Sequence, residues 1–550
     1  MHRLAVRHAT AGAALLLCAA SASAQTAGPF AGHTHAPGID VVDYDITLEL
    51  PDTGAMIRGD VVVTARRAPG VQMLRLDLVN GLTVQQVQVN GRDVHAAHAQ
   101  NAIDVPLASA AGDSVQVRVR YDGAVTDGLI VRKDERGRWT WFGDNWPDRA
   151  RQWLPTVDHP SDKATVSWTV RAPAGRTVVA NGTLLGTRRL SAREAGRVET
   201  RWRESHPVPT YVMVIGAAPL ARVDLPATGC GRADPTSCVA QSVYVLPENR
   251  DWLPGPFAAA VPIVALFERL VGPFPYEKLA HLQSETRFGG MENASAIFYA
   301  SNLFSTHRMS EGLIAHETAH QWFGDAVTER EWGHLWLSEG FATYFATLWT
   351  RESRGDRAYH AELATIRQEV LDDSVVRVRP VLDTTQTHYL ALLNANSYQK
   401  GGYVLAMLHR RLGDSAFFGG LRAYYARYRD GNALTDDLRR ELERSSAQSL
   451  QQFFDQWLRR PGVAEPMVGW AYDSSAATVS LLVLQDSVRG AYEVPLTVEM
   501  TDARGQHRRM EVAVPAKPRV ELTLPGRFAA RPVSIVFDPD AFLLARIGRL

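Results

Sequence analysis

The stretch from Ser310 to Tyr344, SEGLIAHETAHQWFGDAVTEREWGHLWLSEGFATY, constrains this chain more than any other. It contains H-E-x-x-H, read as His316, Glu317, Thr318, Ala319 and His320, and after eighteen intervening residues comes Glu339. At about 3.6 residues per turn, His316 and His320 fall one turn apart on one helix face, so both imidazoles can reach a single ion. Glu317 is rotated by roughly 100° from His316, which stands it beside the metal, where a base acting on water is needed. Ser310 and Glu311 suit a helix N-terminus, and Gly324 suits its C-terminal end. Glu339 opens the next helical run and supplies a hard oxygen as third ligand. A fourth position is then left for water, which distinguishes a catalytic zinc from a structural one. Taken singly, two histidines on a helix or an acid in a first turn are ordinary surface features. Together, and in this order, they point to one Zn2+ per chain bound by His316, His320 and Glu339.

The rest of the chain is that of a globular protein, 550 residues with 45% hydrophobic and 21% charged residues and a formal net charge of zero. That length suggests about three domains. Charge balance without long basic runs argues against nucleic acid or a membrane surface as the main partner. The N-terminus reads as a cleaved signal peptide, residues 1–24: Arg3 and Arg7 form a basic start, Ala9 to Ala20 an apolar core, and Ala22-Ser23-Ala24 a small-residue cleavage site. Cys18 raises a lipoprotein alternative, but Leu17 stands where a small residue is wanted. No later stretch is long and apolar enough for a transmembrane helix, so the mature chain is expected without such an anchor, periplasmic or secreted. Cys230 and Cys238 remain after cleavage, closing a short Gly/Pro loop that suits a disulfide in an exported protein.

Residues 25–40 form a polar leader. From Val41 the apolar residues alternate with period two, in VDYDITLEL, GDVVVTARR and SVQVRVRYDG, and this continues to TYVMVIGAAPL, so 41–247 reads as an all-β domain. The insertion from Trp141 to Asp162, WFGDNWPDRARQWLPTVDHPSD, has the composition of a functional loop, in which Arg151 and Asp158 suit a fixing ion pair. A mostly helical segment follows over 248–460 and carries the metal motif. Residues 463–550 return to strands and suit a β-sandwich.

A second stretch, Phe288-Gly289-Gly290-Met291-Glu292-Asn293, sets two glycines that allow close backbone approach before an acid. By itself it reads as a turn with an exposed carboxylate. Some twenty residues ahead of the metal motif, it suggests recognition of a positive group such as a peptide α-amine.

The combination of GGMEN, HETAHQWFG, WLSEGFATY and Tyr398-Gln399-Lys400-Gly401 resembles the aminopeptidase N-type family of zinc aminopeptidases, which also includes the leukotriene hydrolases. TYVMVIG, GPFPYEKL and ARQWLPTVDHP extend the resemblance over nearly the whole mature chain. It implies a multidomain α+β architecture: an N-terminal β saddle, a thermolysin-like catalytic domain and a C-terminal β-sandwich, without the C-terminal helical domain of larger members. It further implies that His316, His320 and Glu339 bind zinc and that Glu317 is the general base. Tyr398 would donate to the oxyanion, and Glu292 would hold the free amine of a peptide substrate, with Gly289 to Asn293 along its backbone. The chain departs from the family pattern at Thr156 and His159, and at Ser338, where Asn is common. A glutamine that often assists amine binding falls on Asp144, which could serve that purpose or a structural one. His334 could support the ligands from behind or be a plain structural histidine. An endopeptidase sharing the zinc set, and a non-catalytic binding protein on the same scaffold, are the competing expectations; epoxide hydrolysis has no positive sign.

Overall fold

The computed structural model describes residues 37–108, 112–191, 196–229, 238–488 and 490–550. The expected signal peptide, all but the end of the leader, and Cys230 lie outside the described residues. No helix among the described residues is long and apolar enough to cross a membrane.

The alternating apolar pattern of the first segment produces an eight-stranded sheet. In Met56–Arg67, Ile57, Gly59, Val61, Val63 and Ala65 are buried while Arg58, Asp60, Val62 and Thr64 between them are not, as the two-residue pleat requires. Ile39–Glu49 pairs antiparallel with Met56–Arg67 and parallel with Lys163–Ala172, from Asp43 opposite Thr165 to Glu49 opposite Arg171. A four-stranded sheet containing Trp139–Gly143 and Ile215–Ala218 packs beside it.

The next sheet has five strands and is mixed. Val239–Val245, Lys278–Ser284 and Ala296–Ala300 run parallel, and six of the seven residues of Lys278–Ser284 are buried, as a parallel strand covered on both faces demands. Ala221–Thr228 closes one edge antiparallel, and Gly290–Met291 closes the other. Strand pairing therefore carries this sheet across residue 247, and the domain boundary expected there divides paired strands. Period-two patterning alone cannot tell a strand of the first domain from one of the second, because both obey the same pleat.

The metal motif lies on two helices after this sheet. Helix α1 spans Glu311–His320 and is N-capped by Ser310, whose Oγ accepts from Leu313 N at 3.1 Å. It ends at His320, so Gly324 is not its C-cap; the residues Gln321–Phe323 turn instead, each N–H returning to a carbonyl of α1. Helix α2 spans Trp336–Arg354, and α3 spans Gly401–Tyr428 with a kink at Gly413, whose φ is 71°. Glycines set how closely α2 and α3 approach. A Cβ on Gly340 would lie 2.9 Å from the carbonyl carbon of Gly401, and one on Gly402 would lie 3.0 Å from Thr343 Cγ2.

Two further sheets, of four and three strands, build the C-terminal β domain. It is tied to the catalytic helices by Arg367, which donates to Leu543 O and Ala545 O at 2.7 and 2.6 Å, and by Tyr403 Oη, which donates to Phe542 O at 2.9 Å. The architecture is the expected one: an N-terminal β-rich domain, a helical catalytic region and a C-terminal β-sheet domain.

Candidate active site

Helices α1 and α2 bring three ligand atoms together. His316 Nε2 and His320 Nε2 are 3.2 Å apart, and each lies 3.3 Å from Glu339 Oε2. Ligand atoms bound tetrahedrally at the usual ~2.0–2.1 Å from zinc are separated by about 3.3 Å, so this triangle has the size zinc requires. Glu339 Oε2 is buried with no hydrogen-bond donor among the described residues. Buried carboxylates crowd the same spot: ligand atoms of Glu292, Glu317 and His320 also lie within 4.8 Å of one another. A divalent cation offsets that charge, and the donor set fits zinc.

The ligands are held from behind. His320 Nδ1 lies 3.2 Å from Phe323 O and 2.9 Å from Ser338 Oγ, so Nδ1 carries the proton and the Nε2 lone pair faces the triangle. Ser338, the residue where the family more often has Asn, fills that supporting place. Its approach needs Gly324, with φ 122°, because a Cβ there would collide with Ser338 Oγ and sit 3.3 Å from His320 Nδ1. Burial disfavours the charge on Glu339, so the carboxylate stays ionised only with positive charge beside it, carried by protonated His320 and His316 or by the divalent cation that neutral imidazoles would bind. His334 belongs elsewhere: its Nδ1 accepts from Thr435 N at 3.1 Å, and burial lowers it to about 4, which makes it a neutral structural histidine.

Glu317 is not in the ligand triangle. It faces the glycine-rich strand, where a Cβ on Gly290 would run into its carboxylate. Burial pushes Glu317 well above the ordinary carboxyl range. Burial likewise raises Glu292, to about 7. Tyr398 sits in a π-helical turn, Asn396–Lys400, and donates its O–H to Glu339 Oε1 at 2.8 Å. Its ring stacks on His316 with centroids 6.0 Å apart, and burial followed by the Glu339 charge keeps the phenol protonated.

The five residues of GGMEN divide. Gly289 and Gly290 expose backbone, Met291 and Glu292 are buried with only a few per cent of surface left, and Asn293 is fully buried. The backbone carbonyl of Asn293 closes a turn by accepting Ala296 N–H at 2.9 Å, while its buried side-chain amide has no hydrogen-bond partner among the described residues. Asp144, left open between amine binding and a structural role, sits in a network of protein hydrogen bonds. It is fully buried, Oδ1 accepts from Arg149 Nη2 at 3.0 Å, and Oδ2 accepts from the Arg287 backbone N–H at 3.2 Å. With both oxygens engaged, Asp144 anchors the chain that enters Phe288 and the glycines. The insertion that contains it also supplies Trp146, packed edge-on against Phe288 and Trp332, and the Arg151–Asp158 pair at 3.1 Å.

Two helices, two imidazoles, one acid ligand and a free-standing buried carboxylate define a metallohydrolase site beside an exposed strand edge. The chain matches the Peptidase M1 N-terminal domain over residues 43–212 and the Peptidase family M1 domain over residues 259–457, and it belongs to that family. Aminopeptidase N from Streptomyces lividans is 26% identical over 77% of this chain and 50% of its own length. The chain spans about half the length of the curated relatives it matches. A mutant M1 zinc metallopeptidase from Deinococcus radiodurans, solved bound to a Tyr-Ser-Ala substrate, is 27% identical with a TM-score of 0.67, covering 77% of this chain and 94% of that one. Aminopeptidase A from Legionella pneumophila, solved with aspartic acid, shares the fold with a TM-score of 0.80 at 18% identity, over 93% of this chain and 59% of that one.

Proposed function

We propose that this chain is a zinc aminopeptidase that releases the first residue of peptides with a free N-terminus. The observation that carries this reading is the place of Glu292. A buried carboxylate with its ligand oxygen within 4.8 Å of those of Glu317 and His320 holds an ammonium about one residue from the zinc ligands. Since consecutive Cα atoms are about 3.8 Å apart, an amine held there brings the first peptide bond, and no later one, to Glu317. An endopeptidase has no use for such an acid. The Tyr-Ser-Ala tripeptide bound by the Deinococcus radiodurans relative is consistent with a peptide substrate.

Zinc, when bound, supplies a Lewis acid that lowers the pKa of water from 15.7 towards about 7. Glu317 takes a proton from the attacking water and returns it to the departing amine, which its raised affinity for protons suits. Tyr398, kept protonated by burial, donates to the oxygen of the scissile carbonyl as negative charge develops on it. Gly289 and Gly290 let the substrate backbone lie close to the strand edge.

Replacing Glu292 with Ala tests the reading. The expected result is a rise in KM for an unblocked amino-acid amide of about 10-fold or more, as loss of a charge-assisted contact of ~1.5–3 kcal/mol gives, with zinc still bound. An unchanged KM sinks the amine assignment. Export belongs to the same proposal and is supported by the basic, apolar and small-residue order of residues 1–24. Cys238, an exposed residue, would pair with Cys230. N-terminal sequencing of the chain recovered outside the cytoplasm should start at Gln25; a start at Met1 contradicts it.

A further inference from the structure

Gln321, the residue directly after the second zinc-ligating histidine, is fully buried and hydrogen-bonded on every side. Its Nε2 donates to Glu292 O at 2.8 Å and to Asp325 Oδ2 at 2.9 Å, and its Oε1 accepts from Ser295 N at 2.7 Å. The amide thus grips both ends of the turn Glu292–Ser295. Ser295 has φ 60°, a left-handed conformation that points its N–H back at Gln321. We infer that Gln321 is a positioning residue that sets the distance between the zinc helix and the carboxylate that reads the substrate amine. This rests on the aminopeptidase reading of Glu292.

The physical reason is one of covalent shortness. Gln321 is bonded to His320, so its side chain has little freedom relative to the ligand triangle. By holding the carbonyl of Glu292 it fixes where the Glu292 side chain begins. The turn itself does not depend on this contact. From the N-terminal domain, Asn181 Nδ2 donates to Ala294 O at 2.7 Å and Gly182 N donates to Ser295 Oγ at 2.7 Å. Ser295 Oγ in turn donates to Glu204 Oε2 at 3.0 Å, and Lys278 Nζ donates to Ser295 O at 2.9 Å. With these bonds in place, loss of the Gln321 amide shifts the turn relative to α1 and does not melt it. Misplacement by about 1 Å can cost on the order of 10²-fold, so a small shift is measurable.

The test compares two metal-directed inhibitors on the zinc-loaded full chain. Leucine hydroxamate carries a free amine, and acetohydroxamate does not. In Gln321→Met, which keeps the volume and removes every hydrogen bond, zinc content and the acetohydroxamate Ki should stay within about 2-fold, while the leucine hydroxamate Ki rises about 10-fold or more. Gln321→Glu, with the same shape but a carboxylate facing Asp325 and the Glu292 carbonyl, should shift the same ratio in the same direction. Equal weakening of both inhibitors, no weakening of either, or loss of zinc or of the fold in both variants overturns the inference. Glu292→Ala is the parallel control. If it leaves the advantage of leucine hydroxamate intact, the amine assignment itself fails; if it abolishes the advantage while both Gln321 variants retain it, the positioning role alone fails.

Discussion

At the scale of single residues, the chemistry is carried by groups whose neighbours decide their protonation. His320 is protonated at Nδ1 by the pull of Phe323 O and Ser338 Oγ, which leaves Nε2 for the metal. Glu317, one position after His316, is outside the triangle but stands beside it, with its carboxylate against the backbone of Gly290. It follows that Glu317→Gln should abolish turnover while retaining zinc, since it removes the proton carrier and no ligand. Zinc content measured beside the rate checks this, and loss of the metal would show that Glu317 is not the base. The spacing H-E-x-x-H with Glu339 made these residues legible in the sequence, because helical geometry converts spacing into direction. Asp144 could not be read in the same way. It lies in a loop, where spacing fixes no direction, and its oxygens are spent on Arg149 and Arg287. Gln321 was in plain view inside HETAHQWFG, but its role depends on a turn some thirty residues earlier in the chain.

At the scale of elements, glycines make the site possible by letting backbones approach. Gly340 and Gly401 let α2 and α3 touch closely enough that Tyr398, just ahead of α3, donates to Glu339, near the start of α2. Gly324 clears the space in which Ser338 supports His320. Gly324→Ala forces a left-handed backbone on a residue with a Cβ and drives that Cβ at the Ser338 hydroxyl. Strain of about 1–2 kcal/mol and a zinc affinity lowered by roughly 10–100-fold are expected, read by thermal melting and by chelator competition. An unaltered affinity would mean that Ser338 has no part in orienting the ligand. The glycines were visible in the sequence, but which backbone each one faces was not, since that is a property of packing. Strand patterning was equally mute about sheet membership. Ala221–Thr228 and Val239–Val245 look like a continuation of the first domain and in fact pair with the catalytic sheet.

At the scale of the whole molecule, the first domain is a buttress for the site. Lys163, at the start of a strand of the large sheet, donates from its buried ammonium to Asp325 O, Ala326 O and Gly431 O at 2.8, 2.9 and 3.2 Å. Asn181, Gly182 and Glu204 clamp the turn that follows Glu292. Trp146 closes an aromatic cluster with Phe288 and Trp332, so the insertion expected to be a functional loop packs against the segments that carry the site. The three-part architecture could be read from period-two and helical patterning. Contacts across the seam could not, because they join residues far apart in the chain, 91 positions for Glu204 and Ser295 and 162 for Lys163 and Asp325. As an aminopeptidase, the site would read a free amine before it cuts. The most direct measurement is the rate of hydrolysis of an unblocked peptide and of its N-acetylated twin by the zinc-loaded chain. Release of the first residue from the unblocked peptide is expected, with a rate on the acetylated one lower by about 10²-fold, since Glu292 is then buried without its partner. Equal rates, or cleavage at an internal bond, would contradict it.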